Sequence, residues 1–348
     1  MNSYGHSEHS PTPRYPDLPL HFFGLLNLRT DFGRFLAMKR SIFTLLFLLA
    51  ASPLGRAQQT TYDFLHLDVS ARVAALNGSF VSMKDDPNVI FYNPASIATI
   101  TTPRISVSYL KHLLDVNSGS LSYAQNFAGI GTIGAGLTYI DYGSFDQTDE
   151  LLNVIGSFGA RELAFVAGVA TEYEDNLFVG ANVKFIYSDI ASNQSTALAV
   201  DAGVLYDIPS QNLTLGASIL TLGTQLTTYA GTREHLPLDI SIGVTKRPEH
   251  VPVLLSLNFH QLNESASSIA DHLRNFTVGA EFLMSQVVRL RAGYNNAQHQ
   301  DLKMGSTAGL AGYSLGGGIV LKDYQVDYAY NSFGKTGGLN RFSVGINL

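Results

Sequence analysis

Two short strings in this chain have the residue types and spacing of known chemistry. GIGTIG, Gly129 to Gly134, has the G-x-G-x-x-G form. In a dinucleotide site that form lets backbone N–H groups meet a pyrophosphate at a turn from strand into helix. Here it runs on into AGLTYIDYG, which alternates like another strand, and no helix follows. GYSLG, Gly312 to Gly316, has the G-x-S-x-G form of a nucleophile elbow, which needs a strand–turn–helix and a downstream acid and histidine. No histidine follows Ser314. Both strings read as strand glycine.

Of ten histidines, three precede Met38. The other seven, from His66 to His299, contain no i, i+4 pair and no H-E-x-x-H, so their spacing supports no metal site. His260 falls on the polar face of its strand and reads as an ordinary interior residue. A Ser–His pair drawn from different strands is recognised by geometry rather than spacing, and the sequence leaves it open. Cysteine is absent, which excludes disulfides, thiolate zinc sites and a cysteine nucleophile. No enzyme activity and no cofactor are expected. A net charge of -6 gives no electrostatic case for nucleic acid.

Six charged residues, Lys184, Asp201, Glu281, Arg289, Arg291 and Asp327, share the polar face of alternating segments. They form either a charged pathway or an internal ion-pair network. The network is the simpler reading. On a lipid-facing surface such charges would cost about 2–4 kcal/mol each at mid-bilayer, so they point inward whatever their role.

The elements that position them are strands. In FVGANVKFIYS, Val179, Ala181, Val183, Phe185 and Tyr187 oppose Gly180, Asn182, Lys184 and Ser188, with Ile186 the exception. YQVDYAYN sets Tyr324, Val326, Tyr328 and Tyr330 against Gln325, Asp327, Ala329 and Asn331, and FSVGINL carries the pattern to Leu348. The same split recurs in 255–261, 275–282 and 288–295. A soluble sandwich also alternates. Segments of about ten residues or more, with Tyr and Phe near the ends of their apolar faces, favour a membrane barrel. Roughly fourteen strands fit between Arg104 and Leu348, an even number as single-chain bacterial barrels require. DELLNVIGSFGARE, 149–162, is read as a loop and YNNAQHQD as a turn; TTYAGTREHLP and NESASSIADH are candidate outer loops.

Only 14% of the 348 residues are charged, against about a quarter in soluble proteins. MKRSIFTLLFLLAASPLGRAQQ, from Met38, has the basic, apolar and small-residue parts of an export signal. Its apolar run is about half of what a membrane helix needs. An exported chain without such a helix enters a membrane only as a closed barrel, because every backbone N–H and C=O must be paired. Residues 1–37 read as an extension upstream of the true start, 38–57 as the signal peptide with cleavage after Ala57, 58–103 as an N-terminal plug and 104–348 as the barrel. The fold class is all-β: a transmembrane antiparallel barrel of about 14 strands in the outer membrane, contacting its lipid.

DDPNVIFYNPASIATI, Asp85 to Ile100, is apolar but broken by Pro87 and Pro94, which keep it out of the sheet. Asn93 is pushed to extended or turn geometry by the proline after it. The segment is expected to pack in the lumen.

TYDFLHLDVSARVAALNGSFVSMKDDPNVIFYNPASIA, Thr61 to Ala98, resembles the opening of the PorV/PorQ family of outer-membrane barrels, themselves related in fold to the FadL fatty-acid transporters. The matching elements are Ser70-Ala71-Arg72, Ala74-Ala75-Leu76, the Asp86/Asn88 pair and Asn93-Pro94-Ala95. YDFL, with LLDVNSGSLSYA at 113–124, points to the PorQ branch. Asn77 stands where that branch usually has glycine, and Asn tolerates a left-handed turn. The resemblance spans essentially all of the chain after the signal, most strongly 62–124. It implies a FadL-like barrel of fourteen strands with an inward-folded plug, acting without enzyme activity in type IX secretion. Its implied role is to hold a PorZ-like surface protein in an attachment complex with PorV and the sortase-like PorU. A FadL-like transporter of hydrophobic molecules is the alternative.

N-terminal sequencing of the exported protein is expected to begin at Gln58. A mature terminus upstream of Met38 would overturn the start and the signal together.

Overall fold

The computed structural model describes residues 61–348 apart from 112–115, 230, 265–270, 272 and 304–308. The upstream extension and the signal segment lie outside the described residues. Fourteen strands follow in order: β1 (Arg104–Lys111), β2 (Asn117–Phe127), β3 (Gly131–Thr148), β4 (Val154–Glu174), β5 (Leu177–Ile190), β6 (Asn193–Ile208) and β7 (Leu213–Thr227), then β8 (Asp239–Lys246), β9 (Val253–Phe259), β10 (Phe276–Leu283), β11 (Val288–Asn295), β12 (Tyr313–Leu321), β13 (Tyr324–Ser332) and β14 (Gly338–Asn347). Each pairs antiparallel with its sequence neighbours. β14 returns to β1 from Arg104↔Asn347 to Lys111↔Asn340 and closes the barrel. An even strand number makes that last pairing antiparallel too.

Alternation sets the two faces of the wall. In β5, Asn182, Lys184, Ile186 and Ser188 are buried toward the lumen, while Val183 and Phe185 are exposed outside. Val107, Phe165, Leu198, Leu255, Leu290 and Val344 continue the outer apolar band. In water such a band would be a large exposed patch; in a bilayer it meets hydrocarbon. At one end the connections are tight: Asp175 and Asn176 join β4 to β5, and Lys322 and Asp323 join β12 to β13. The other end carries the long connections 228–238, 260–275 and 296–312, which by barrel convention face the exterior. We call it the outer end.

Two expectations are corrected. The 149–162 stretch is not a loop: from Val154 it is the first part of β4, pairing with β3 through Phe145↔Phe158 and Asp146↔Ser157. The extra residue at the Asp141/Ser144 shift lies on β3; in β4 itself Val154 to Ser157 are exposed on both faces, so no buried side marks the strand there. The stretch lengthens β4 and adds no strand. YNNAQHQD is no simple turn either: Asn296–Asp301 is a short helix whose N-cap Asn295 accepts from the Gln298 N–H.

Residues 61–103 contribute no strand and lie against the inward face of the wall. Helix α1 (Ala71–Ala75) is capped by Ser70, and two 3-10 helices, Pro87–Phe91 and Pro94–Thr99, are capped by Asp86 and Asn93. Both have proline at the first helical position, where the missing N–H costs nothing. Asn77, at φ 51°, turns the chain after α1, and its Nδ2 donates to Gly312 O at 2.8 Å. Phe80, Met83, Val89, Ile90 and Ile97 are buried with Ala124, Val166 and Ala170 of the wall in one apolar cluster. The path has a direction. The Thr61 N–H donates to His235 O at the outer end, and Asp85 O accepts from Arg104 at the other end, where β1 begins.

Wall glycines make the close approach possible. A Cβ on Gly180 would stand 2.6 Å from Pro94 C and 2.7 Å from Ala95 N, so Gly180→Val must displace Asn93-Pro94-Ala95. The variant is expected to lose about 1–3 kcal/mol, the range for overpacking, read as a lowered temperature of the heat-dependent gel shift of the folded barrel. An unchanged transition would show that the segment does not press on β5.

Candidate functional site

The inward charges gather into a chain of ion pairs that ties the N-terminal segment to the wall. Arg72 reaches Asp86 at 3.0 Å and Glu281 on β10 at 2.7 Å. Glu281 is shared with Arg291 on β11 at 2.8 Å, and Arg291 reaches Asp327 on β13 at 2.6 Å. The Gln325 amide donates to the far oxygen of Asp327 at 2.7 Å. Burial opposes the charge of Arg72, but Glu281 and Asp86 outweigh it and hold the guanidinium above its ordinary range. Its face also lies over the Phe80 ring, 5.5 Å from the centroid.

Lys184 and Asp201 form a separate buried pair at 3.1 Å between β5 and β6, closed by Thr221 Oγ1, the Thr221 N–H and the Asn182 amide. Arg289 lines the lumen but donates to the backbone carbonyls of Ser285 and Val288. It is joined to no carboxylate among the described residues.

The Asp/Asn motif residues act as caps and anchors. Asp86 Oδ1 accepts from the N–H and the side-chain amide of Asn88 at 2.9 and 2.8 Å. Asn88 then bonds Ser106 on β1 and Ser122 on β2. Asn93 Oδ1 takes the Ala95 N–H at 3.1 Å, while its amide donates to Val81 O at 2.8 Å and Val204 O at 3.0 Å. Pro94 carries the backbone past Gly180 and Gly203.

His260 stands in a cluster that spacing does not show. Its Nδ1 is 3.0 Å from Ser241 Oγ and 3.8 Å from Asp239 Oδ2, and its Nε2 is 3.1 Å from Thr277 Oγ1. The residue types are those of a nucleophile relay. However, Ser241 donates to Asp239 at 2.9 Å, and both hydroxyl residues are almost fully buried. Together these bonds form a seam that joins β8 and β10 through His260, next to the end of β9.

A cavity of about 590 Å³ opens at the tight-turn end of the lumen. Arg72, Lys84, Asp86, Asp207, Glu281 and Arg289 line it with apolar residues such as Met83 and Leu254, so its lining is mixed and rich in charge. Lys84 and Asp207 are paired there at 2.7 Å. Sequence reading missed Asp207, Arg341 and Asp239. Alternation carries a signal for the first two: Asp207 is in phase with Asp201, and Arg341 with Ser343, one residue outside the FSVGINL window.

No family model and no curated protein matches the chain. Solved structures do. A FadL homologue of Pseudomonas aeruginosa aligns with 84% of this chain and 100% of its own at 12% identity, with a TM-score of 0.51. The toluene transporter TbuX of Ralstonia pickettii gives 0.53 at 13% identity, covering 80% and 96%. The toluene transporter TodX of Pseudomonas putida gives 0.50 at 12%, covering 80% and 96%. The fold is FadL-like. In this FadL-like barrel Lys184, Asp201, Glu281, Arg291 and Asp327 stand on the lumen side of the wall, and the apolar band lies on the outer face.

Removing one member of a buried pair strands the other without a partner, at about 3–5 kcal/mol. Lys184→Met is therefore expected to destabilise the barrel by that order. The double variant Lys184→Met/Asp201→Leu is expected to lose clearly less, in urea unfolding from lipid vesicles. Additive losses would mean that the two residues do not act as a pair.

Proposed function

We propose that this chain is a non-enzymatic outer-membrane scaffold that holds a surface protein, and that it serves the type IX secretion system. The partner would be PorZ-like, in an attachment complex with PorV and PorU that joins secreted cargo to the cell surface. The partner list rests on the PorV/PorQ resemblance of residues 61–124. One observation carries the scaffold reading: the lumen is filled. Residues 61–103 pack an apolar cluster against the wall and are pinned there by Arg72, Asn88 and Asn93. The cavity that remains carries charged side chains on its lining, among them the Arg72–Asp86 and Lys84–Asp207 pairs, beside apolar residues such as Met83 and Leu254. A hydrophobic ligand gains from an apolar pocket with few polar groups. In this cavity it would strip water from charged groups, Arg289 among them, at a desolvation cost.

A second reading comes from the fold neighbours, two of which are toluene transporters by name. It requires an apolar route past residues 61–103.

Two measurements separate these readings. In liposomes containing the purified protein, uptake of labelled fatty acid is expected to match that of protein-free vesicles; uptake well above it would overturn the scaffold reading. Affinity purification of the tagged protein from native membranes in mild detergent is expected to recover type IX components, and their absence would overturn the attachment role.

A further inference from the structure

Beyond Asp141 and Ala160 the β3–β4 hairpin leaves the barrel wall. β2 pairs no further than Asp141 and β5 no further than Ala160. The β3–β4 ladder alone continues, from Ser144↔Gly159 to Thr148↔Val154. At about 3.3 Å per residue the ribbon rises about 20 Å past its neighbours at the outer end. Apart from the Ala191 N–H on Gly159 O at its base, neither edge has a backbone partner among the described residues.

A two-stranded ribbon is marginal in water unless something braces it. Here Phe145 and Phe158 stack at 5.4 Å, and the Tyr142 hydroxyl donates to Glu162 at 2.6 Å. The tip is organised by Asp149. Its Oδ1 accepts the N–H groups of Leu151 and Asn153, both at 2.9 Å, and its Oδ2 accepts the Asn153 amide at 3.0 Å. Leu152 is held at φ 65°, where leucine is rarely found. The result of this ordering is an apolar knob: Leu151 is 81% exposed and Leu152 82%, with Val154 and Ile155 exposed just below them. A strained backbone that presents two leucines to water is costly unless something covers them.

Charge narrows the choice of what covers them. From Tyr142 to Gly159 the ionisable groups other than tyrosine are Asp146, Asp149 and Glu150, with no Lys, Arg or His. A second copy would bring the same three carboxylates, and an anionic lipid surface would repel them as well. We propose that this ribbon docks a surface protein, whose apolar socket takes Leu151 and Leu152 and whose Lys or Arg side chains face the three carboxylates. This deepens the scaffold reading and rests on it for the existence of a surface partner.

The test compares tagged full-length proteins purified from native membranes: wild type, Leu151→Ser/Leu152→Ser, Asp146→Asn/Glu150→Gln, and Lys335→Ser in the β13–β14 turn as control. Asp149 is left intact because it builds the tip. The heat-dependent gel shift verifies that each barrel is folded. Co-purifying proteins are quantified relative to the bait at low and high salt. One surface protein is expected to fall at least about tenfold with the leucine variant, as for interface anchors. It is expected to fall less with the carboxylate variant, to be sensitive to salt, and to be unchanged in the control. Undiminished recovery with the leucine variant overturns the proposal. So does loss only of differently tagged second copies, which would make the knob a self-contact. If type IX components co-purify equally with every version, the ribbon proposal fails while the attachment role stands. If the protein lost with the leucines is no type IX component, the ribbon stands and the attachment role falls. If the wild type recovers no partner, both fall.

Discussion

Backbone pairing in a medium without water governs the rest of this structure. A strand crossing hydrocarbon has no solvent to satisfy its N–H and C=O groups, so the sheet must close on itself. The β1–β14 ladder, eight residue pairs from Arg104↔Asn347 to Lys111↔Asn340, is where that condition is met. Once the sheet is closed, the pleat sorts side chains into two environments. Val183 and Phe185 face out, while Asn182 and Lys184 face in, within a single stretch of β5. The inward charges follow from closure and need no separate explanation.

Closure with fourteen strands creates a second problem. Small barrels fill their interior with wall side chains, and barrels of sixteen strands or more leave an aqueous channel. This wall offers mostly small or polar inward residues, among them Ser106, Ser120, Ser122, Gly180 and Gly203. Residues 61–103 supply the missing bulk with Phe80, Met83, Val89, Ile90 and Ile97. They also meet the polar wall on its own terms. Asn88 donates to its cap Asp86, Asn93 is itself a cap, and each then reaches a strand. Arg72 bridges a carboxylate of its own segment and one of β10. Buried ion pairs are weak evidence for stability, since desolvation offsets much of the attraction. Their directional effect here is clearer: Arg72 has both partners in one register of the segment against the wall.

Legibility in the sequence follows the range of the interactions involved. Strand periodicity is local, so β5, β13 and β14 were readable from their own residues, as were the inward phases of Lys184, Glu281, Arg291 and Asp327. The phase carries no signal where neither face is buried. The start of β4 is exposed on both sides and reads as a loop, and the cap by Asn295 makes a helix of an apparent turn. Partnership was not readable at all. Nothing in the spacing of Arg72, Glu281 and Asp327 says that one chain of ion pairs joins them, and His260 meets Ser241, Asp239 and Thr277 only because β8, β9 and β10 are neighbours. Proline position at 87 and 94 ruled out a strand but carried no information about which wall glycines the segment would touch.

Likeness of fold at low sequence identity is possible because the wall and the lumen depend on different faces of the same strands. The outer face answers to lipid and the ladders to closure, and these constraints are shared by every barrel of this shape. At 12–13% identity they are enough to superimpose the wall. The lumen is free of both constraints, so its side chains answer to whatever the barrel holds or admits. Here several of them pair with one another and with residues 61–103, and the Arg72–Asp86 and Arg72–Glu281 pairs reach the cavity left over. Exposed apolar surface includes the outer band and the β3–β4 tip, and no strand of the barrel covers the tip. Inside the barrel, Arg72, Asn88 and Asn93 tie residues 61–103 to the wall, while the β3–β4 tip stands clear of it at the outer end.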